Sequence, residues 1–305
     1  MNSLNATIKA HLAILFATII FAVNYWISKD LVAVFSVPQL VFLRTVGATV
    51  LFGLVFAFRP VEKVALKDKA YLALAALFGI ALSQILFFAG LHFTTPLETA
   101  TIHLSNPIMV LLLSMVFLHA KLDKIQVVGV TLGAIGALIL VLYQKDFQWT
   151  GASIIGNAMI LGNTFAYATF LVMMKPILKK YSPLTTSFWL YLSGTILIIP
   201  LSIKSVLNIE TLQTISLHAL SILYLIVLVT FLAYFLSIYS LHSLSPTVVS
   251  YYIYLQPVLA FIIAIFLGEQ LPELVKIAAA FIIVAGVYLV NKKKKDPTDL
   301  QLPLD

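Results

Sequence analysis

The feature that most restricts this chain is a pattern that occurs twice at one fixed distance. Leu91-His92-x-x-x-Pro96 returns as Leu241-His242-x-x-x-Pro246, and Pro107 returns as Pro257, each 150 positions further on. At the same offset Gly136 falls on Gly286 and Gln84 on Tyr234. Few positions are identical, so what repeats is the register of prolines and apolar runs. Two similar and almost wholly apolar halves are the usual construction of a secondary transporter.

Composition decides the solvent. The chain is 61% hydrophobic and 10% charged, whereas soluble domains carry about 25% charged residues. A membrane-crossing helix needs about 20 apolar residues. Ten such runs can be read, at 10–28, 38–58, 71–90, 97–118, 124–143, 150–173, 184–203, 217–240, 246–267 and 274–291. The expectation is an all-α integral membrane protein whose ten transmembrane helices form two five-helix repeats, 1–146 and 147–295, with a polar tail at 296–305. Linkers leave no room for a soluble domain. The first run lacks a small-residue cleavage site and is followed by further spans, so it reads as retained. No cysteine is present, which excludes disulfides, thiol catalysis and cysteine-based metal sites. Six histidines without carboxylates at ligand spacing predict no metal site, and no cofactor is implied.

The net charge of +7 would suit a nucleic-acid partner if it were clustered, but its distribution is that of a topology signal. With the N-terminus inside, fourteen basic residues fall on inner segments and four on outer ones. The positive-inside rule then places both termini in the cytoplasm. Five spans per half is an odd number, so the second half enters from the opposite side. The repeats are therefore expected to be inverted, which gives alternating access a structural basis. Nucleic acid is not an expected partner; a small-molecule metabolite and the lipid bilayer are, with the protein a monomer or weak dimer.

The segment 237–290 resembles the EamA-type branch of the drug/metabolite transporter superfamily. The residues that carry this are Tyr239-Ser-Leu-His-Ser-Leu-Ser-Pro246, Leu255-Gln-Pro257, Leu267-Gly-Glu269-Gln and Ala285-Gly286. The first half repeats them at Gly90-Leu-His-Phe-Thr-Thr-Pro96, Ser105-Asn-Pro107 and Gly133-Ala-Ile-Gly136. Val37-Pro38 followed by Arg44 is similar to the family's opening of span 2, with Ser182-Pro183 a weaker echo in span 7. Leu118-His119 stands where the family usually has Gly-Glu. The resemblance implies a carrier of small metabolites, often an exporter, in a cell membrane such as the bacterial inner membrane.

A depth map follows from the 1.5 Å rise per helical residue. Arg44, Gln84 and His103 each lie six residues from the outer end of their spans, roughly 9 Å deep. Asn24 and Asn157 share that outer half, and Glu98 sits nearer the rim. The matching inner layer is aromatic, with Tyr167, Trp189, Tyr234, Tyr251 and Tyr254; Asn106, Asn163 and Gln256 lie between. All fourteen are candidate substrate-binding residues. A charge at the membrane centre costs about 2.5–3.5 kcal/mol on insertion scales, so it tends to face a cavity or a partner. Arg44 would receive an anionic or zwitterionic ligand, snorkel outwards, or pair with Glu98 to tie spans 2 and 4. Glu98, partly desolvated, would offer proton coupling. His103 is either a hydrogen-bonded packing residue or a proton shuttle. Pro107 and Pro257 each remove a ladder bond in mid-span and mark either fixed kinks or gating helices. Gly129-x-x-x-Gly133-x-x-Gly136 offers a close-approach surface, expected against Ala279 and Gly286 of the last span. No nucleophile, paired-carboxylate or metal constellation appears at one depth, which disfavours a membrane-embedded enzyme. The repeat and the short loops disfavour a receptor or scaffold.

Overall fold

The computed structural model describes residues 2–58, 62–120, 124–142, 151–206, 209–256, 258–259 and 274–291. These are helical with no strand among them, the form in which an apolar segment satisfies every backbone donor and acceptor without water. The first half contains α1 (Asn2–Val34) and α2 (Val37–Ala57). A long rod follows, made of α3 (Leu66–Ala76), a π-helical turn (Leu77–Leu82) and α4 (Ser83–Phe93). After it come α5 (Pro96–His103), α6 (Asn106–Leu118) and α7 (Lys124–Leu142). The second half contains α8 (Gly151–Ile177), α9 (Pro183–Val206) and α10 (Ile209–Leu217). A second rod joins α11 (Ala219–Leu223), a π-helical stretch (Tyr224–Ala233) and α12 (Tyr234–Ser243). Last come α13 (Pro246–Tyr251), a 3-10 turn (Tyr252–Tyr254) and α14 (Leu274–Asn291).

Among the described residues six helical rods are long and apolar enough to cross a membrane: Asn5–Val34, Val37–Ala57, Leu66–Phe93, Ile154–Ile177, Pro183–Val206 and Ala219–Ser243. Asn106–Leu118, Lys124–Gly136 and Ile277–Val290 are shorter apolar helices. The run expected at 97–118 is two helices, because Pro107 occupies the first turn of α6 and the ladder breaks at Leu104-Ser105. Of the run expected at 246–267, Pro257 and residues 260–267 lie outside the described residues. So do Glu269 and the tail at 296–305.

Local chemistry fixes the helix ends. The Gln39 side chain accepts from the Ser36 backbone N–H at 2.8 Å, and Pro38 sits in the first turn of α2. That combination is a capping arrangement. The same Gln39 donates to the Ser205 carbonyl at 2.8 Å, tying the start of α2 to the end of α9. The last carbonyls of α4 are held by Lys29, whose Nζ donates to Leu91 O at 2.7 Å and Thr94 O at 2.8 Å. Lys175 does the same for α12, with Leu241 O at 2.7 Å and Leu244 O at 2.8 Å. An ammonium at a helix C-terminus meets both the unpaired carbonyls and the negative end of the dipole.

The helices pack as α2 on α9, α4 on α8, α1 on α12 and α7 on α14. The last pair is the closest approach: a methyl group on Gly286 would lie 2.7 Å from Gly129 O. Small residues therefore bring the two backbones together, as the Gly129/Gly133/Gly136 spacing implies, and Ala279 faces Gly136. At one end of the molecule Glu62 accepts from the Ser182 N–H at 3.0 Å. Asp68 accepts from Lys180 at 2.8 Å and from the Tyr181 hydroxyl at 2.9 Å. These contacts clasp the segment before α3 to the turn between α8 and α9.

Candidate functional site

A cavity of about 100 Å³ opens between elements of both halves. That is the volume of a few water molecules, at about 30 Å³ each, or of a small organic group. One face of α1 lines it with Ile14, Thr18, Phe21 and Tyr25, spaced so as to share a helical face. Nine of the fourteen expected residues also line it: Asn24, Arg44, Gln84, His103, Asn106, Asn163, Tyr167, Tyr234 and Gln256. Thr18, Phe21, Tyr25, Ser83, Phe87 and Thr164 are among the further lining residues, and sequence does not single them out. The Ile14/Thr18/Phe21/Tyr25 stripe was the signal that could have revealed the contribution of α1.

The two π-helical segments set the orientation of the polar layer. One ends immediately before Ser83-Gln84 and the other immediately before Tyr234, positions that share the 150-residue offset. π-bulges inside α-helices occur frequently at functional sites. In the second one the Thr230 hydroxyl donates to Leu225 O, five residues back, at 2.6 Å. It also accepts from Arg44 Nε at 2.8 Å. The Arg44 guanidinium lies 5.2 Å from the centre of the Phe88 ring and close to Tyr234 and Tyr191. Arg44 and Glu98 form no ion pair; the ion pair among the described residues is Lys180–Asp68.

A hydrogen-bonded chain crosses the cavity wall through His103. Asn163 donates its amide nitrogen to Ser83 O at 2.8 Å and Ser83 Oγ at 2.9 Å. Its oxygen therefore faces His103 Nε2 at 2.8 Å, and Nε2 must carry a hydrogen. The Tyr25 hydroxyl lies 2.6 Å from His103 Nδ1 and 2.7 Å from Gln256 Oε1, yet it has one proton to give. A neutral His103 accepts the hydrogen bond from Tyr25 at Nδ1, and Gln256 then turns its amide nitrogen towards Tyr25. A protonated His103 donates to Tyr25 instead, and Tyr25 donates onwards to Gln256 Oε1.

Three cavity atoms have no partner: both amide atoms of Gln84, although Tyr234 is its neighbour, and Oδ1 of Asn106. The Asn106 amide nitrogen is committed to Thr164 O at 3.1 Å. A buried polar atom left unpaired costs about 1–3 kcal/mol, so these atoms mark a place that something polar fills.

Five expected residues lie off the cavity. Glu98 and Asn157 meet at Thr94, whose hydroxyl contacts Glu98 Oε2 and lies 2.6 Å from Asn157 Oδ1. Trp189 lies under Lys69, whose Nζ is 3.9 Å from a ring centre. Tyr251 and Tyr254 stack on one another with centroids 6.3 Å apart, in a separate cluster with α7 and α14. The face of this segment that meets the cavity is that of Val249, Ser250, Ile253 and Gln256. Tyr252 turns to α1, its hydroxyl 2.8 Å from His11 Nδ1. Of the two expected gating prolines, Pro107 lies at the helix break beside His103.

Known proteins resemble the chain over almost all its length. A protein of Archaeoglobus fulgidus named "Uncharacterized transporter" is 27% identical over 293 residues, covering 94% of this chain and 98% of that one. A "Probable terminal-alkyne amino-acid exporter" of Streptantibioticus cattleyicolor is 24% identical over 262 residues, 85% of each chain. A solved crystal structure shares the fold with a TM-score of 0.70 at 16% identity, over 94% of this chain and 96% of that one. The EamA-like transporter family matches residues 8–142 and 154–292. With its apolar rods and this match across both halves, the chain belongs to the EamA-like transporter family and is a multi-pass membrane transporter, not an enzyme.

Proposed function

We propose that the protein is a ten-span carrier of two inverted five-helix repeats, 1–146 and 147–295, that moves small polar or amphipathic metabolites such as amino acids outwards. The observation that carries this is a cavity to which both halves contribute, with Arg44, Gln84, His103 and Asn106 from the first and Asn163, Tyr167, Tyr234 and Gln256 from the second. The name of the amino-acid exporter relative supports substrate class and direction.

Inversion draws support from contacts. Lys29 near the end of α1 and Asn157 near the start of α8 both reach the 91–98 segment. Tyr181, past the end of α8, donates to Asp68 near the start of α3. These contacts fit corresponding helices of the two halves running in opposite senses. With both termini cytoplasmic, the Thr94/Glu98/Asn157 cluster closes the outer side and His11–Tyr252 the inner, and breaking one while keeping the other gives alternating access. Pro107, and Pro257 beyond the described residues, would let the broken helices move. Proton coupling, if used, would act at Glu98 or through the Tyr25–His103–Gln256 chain.

The test is counterflow of a radiolabelled amino-acid mixture in proteoliposomes. Accumulation by the wild-type protein and its loss in Arg44→Ala supports the reading. A reconstituted, folded protein that accumulates nothing from amino-acid or broader metabolite pools contradicts it.

A further inference from the structure

Arg44, Gln84 and Asn106 form an incomplete binding set. Arg44 is 3% exposed, and Gln84 and Asn106 are each 1% exposed. All three line the cavity, two of them with unbonded polar atoms. Among the described residues no Asp or Glu lines it. A guanidinium buried without a counter-ion is a costly arrangement unless an anion arrives. Its planar fork matches a carboxylate, and the Thr230 hydroxyl fixes Nε so that the group cannot swing away. The Gln84 N–H₂ adds a neutral donor on the same side, while Gln84 Oε1 and Asn106 Oδ1 remain as acceptors.

An α-ammonium or α-hydroxyl beside the carboxylate would meet only those neutral acceptors. The apolar remainder would lie against Phe21, Tyr167 and Tyr234, whose rings pack edge-on with centroids 5.7 Å and 6.2 Å apart. We infer that the cavity is a carboxylate site, in which a free carboxylate is the obligatory group of the ligand and an α-ammonium is dispensable. This rests on the carrier reading and narrows it. Amines and other organic cations are excluded as substrates, and deaminated acids are admitted alongside amino acids.

The test uses four probes with one side chain: leucine, 4-methylpentanoate, leucinamide and 3-methylbutylamine, with the phenylalanine series as a second set. Binding to purified protein is read from the shift in melting temperature and from titration calorimetry. The two carboxylates should bind within a few-fold of one another, and the amide and amine about 10- to 100-fold more weakly, the range of one charge-assisted hydrogen-bond set. Arg44→Gln should abolish the preference and Arg44→Lys restore part of it. Gln84→Leu guards against misfolding, since Gln84 has no well-formed hydrogen bond, only the nearby Tyr234 hydroxyl. It should melt at or above the wild-type temperature while weakening both carboxylates.

Equal binding of leucinamide or 3-methylbutylamine overturns the inference, as does carboxylate preference that survives in Arg44→Gln. No binding of any carboxylate in either series overturns it as well. The carrier reading fails separately, through absence of counterflow with any solute. A carrier that moves amines leaves that reading standing and removes this one.

Discussion

The two halves of this molecule share a backbone plan and differ in what hangs from it. Lys29 and Lys175 hold the last carbonyls of α4 and α12 with nearly the same distances, 2.7 and 2.8 Å in each case. A π-helical segment precedes residues 84 and 234, and a helix break follows residues 103 and 251. At these shared positions the chemistry diverges: Gln84 faces Tyr234, and His103 has Ile253 as its counterpart. The difference teaches a division of labour. Repeated backbone features give the two halves matched helix ends and breaks, while unlike side chains make one polar site rather than two mirrored ones.

The largest expected effect breaks the asymmetry. Arg44→Ala should lower transport of charged substrates by about 10-fold or more, the usual scale of a lost charge-assisted interaction. Trp189→Ala, at the corresponding place in the second half, should leave it within two- to three-fold, because Trp189 lies off the cavity under Lys69. Initial rates in proteoliposomes measure both, and an equal loss in the two variants would erase the distinction.

A second pair probes the shared plan. Lys29→Met and Lys175→Met each remove charge-assisted bonds to helix-end carbonyls, and each should destabilise by about 1.5–3 kcal/mol. Thermal or denaturant melts in detergent should show similar losses. A large loss in one and none in the other would mean that the matched geometry is not matched energetically.

Gly286→Ala sharpens the packing side of the comparison. The added methyl would press on Gly129 O and Gly133, and such overpacking costs about 1–3 kcal/mol. Gly53→Ala, with its nearest neighbour at 3.6 Å, should be close to neutral. Comparable melting temperatures for the two would argue against a close α7–α14 crossing.

How much of this was legible in the sequence depends on which force wrote it. Membrane class, the register of the halves and the α7–α14 glycine contact follow from composition and spacing, which act locally. Nine cavity residues could be placed because depth along a helix is read from residue count alone. Tyr251 and Tyr254 lie elsewhere because the adjacent face, with Val249, Ser250, Ile253 and Gln256, is the one turned to the cavity, and a residue count gives depth without saying which face turns inward. The π-helical segments have no sequence signature in this chain, yet they aim Gln84 and Tyr234. Tyr25 was eclipsed by its neighbour Asn24, although its place on the Ile14–Tyr25 stripe was visible. An Arg44–Glu98 pair looked reasonable by depth, but Glu98 turns to Thr94 and Arg44 to Thr230.

The smallest effect concerns the clasp between the segment before α3 and the turn between α8 and α9. Desolvation works to raise the Glu62 carboxyl, but hydrogen bonds from Ser182 and Thr185 outweigh it and hold it below its ordinary value. A carboxylate depressed in the folded state adds stability above its unfolded pKa and loses it as pH falls through the folded one. Acidification below about pH 4 should therefore loosen the 62–69/180–182 contact. The hydrogen bond between Lys180 and Asp68 holds the ammonium above its ordinary value and the carboxyl below its own, so the pair contributes at neutral pH, weakens in acid as Asp68 is protonated and fades in strong alkali. The protection of the Ser182 amide, its exchange rate relative to the intrinsic rate at the same pH, should fall in acid for the wild-type protein. It should be low at all pH values in Glu62→Ala, and pH-independent wild-type protection would count against the clasp.

The most direct measurement asks whether equivalent ends of the two halves lie on opposite sides of the membrane. The chain has no cysteine, so a single introduced thiol reports its own position. Phe58, at the end of α2, and Lys204, in the last turn of α9, are both exposed. They stand one residue from correspondence under the 145-residue offset that relates Val37-Pro38 to Ser182-Pro183. In intact cells a membrane-impermeant maleimide should label Lys204→Cys directly and Phe58→Cys only after permeabilisation. Labelling of both from the same side would contradict the inverted repeat and, with it, the alternating-access carrier built on it.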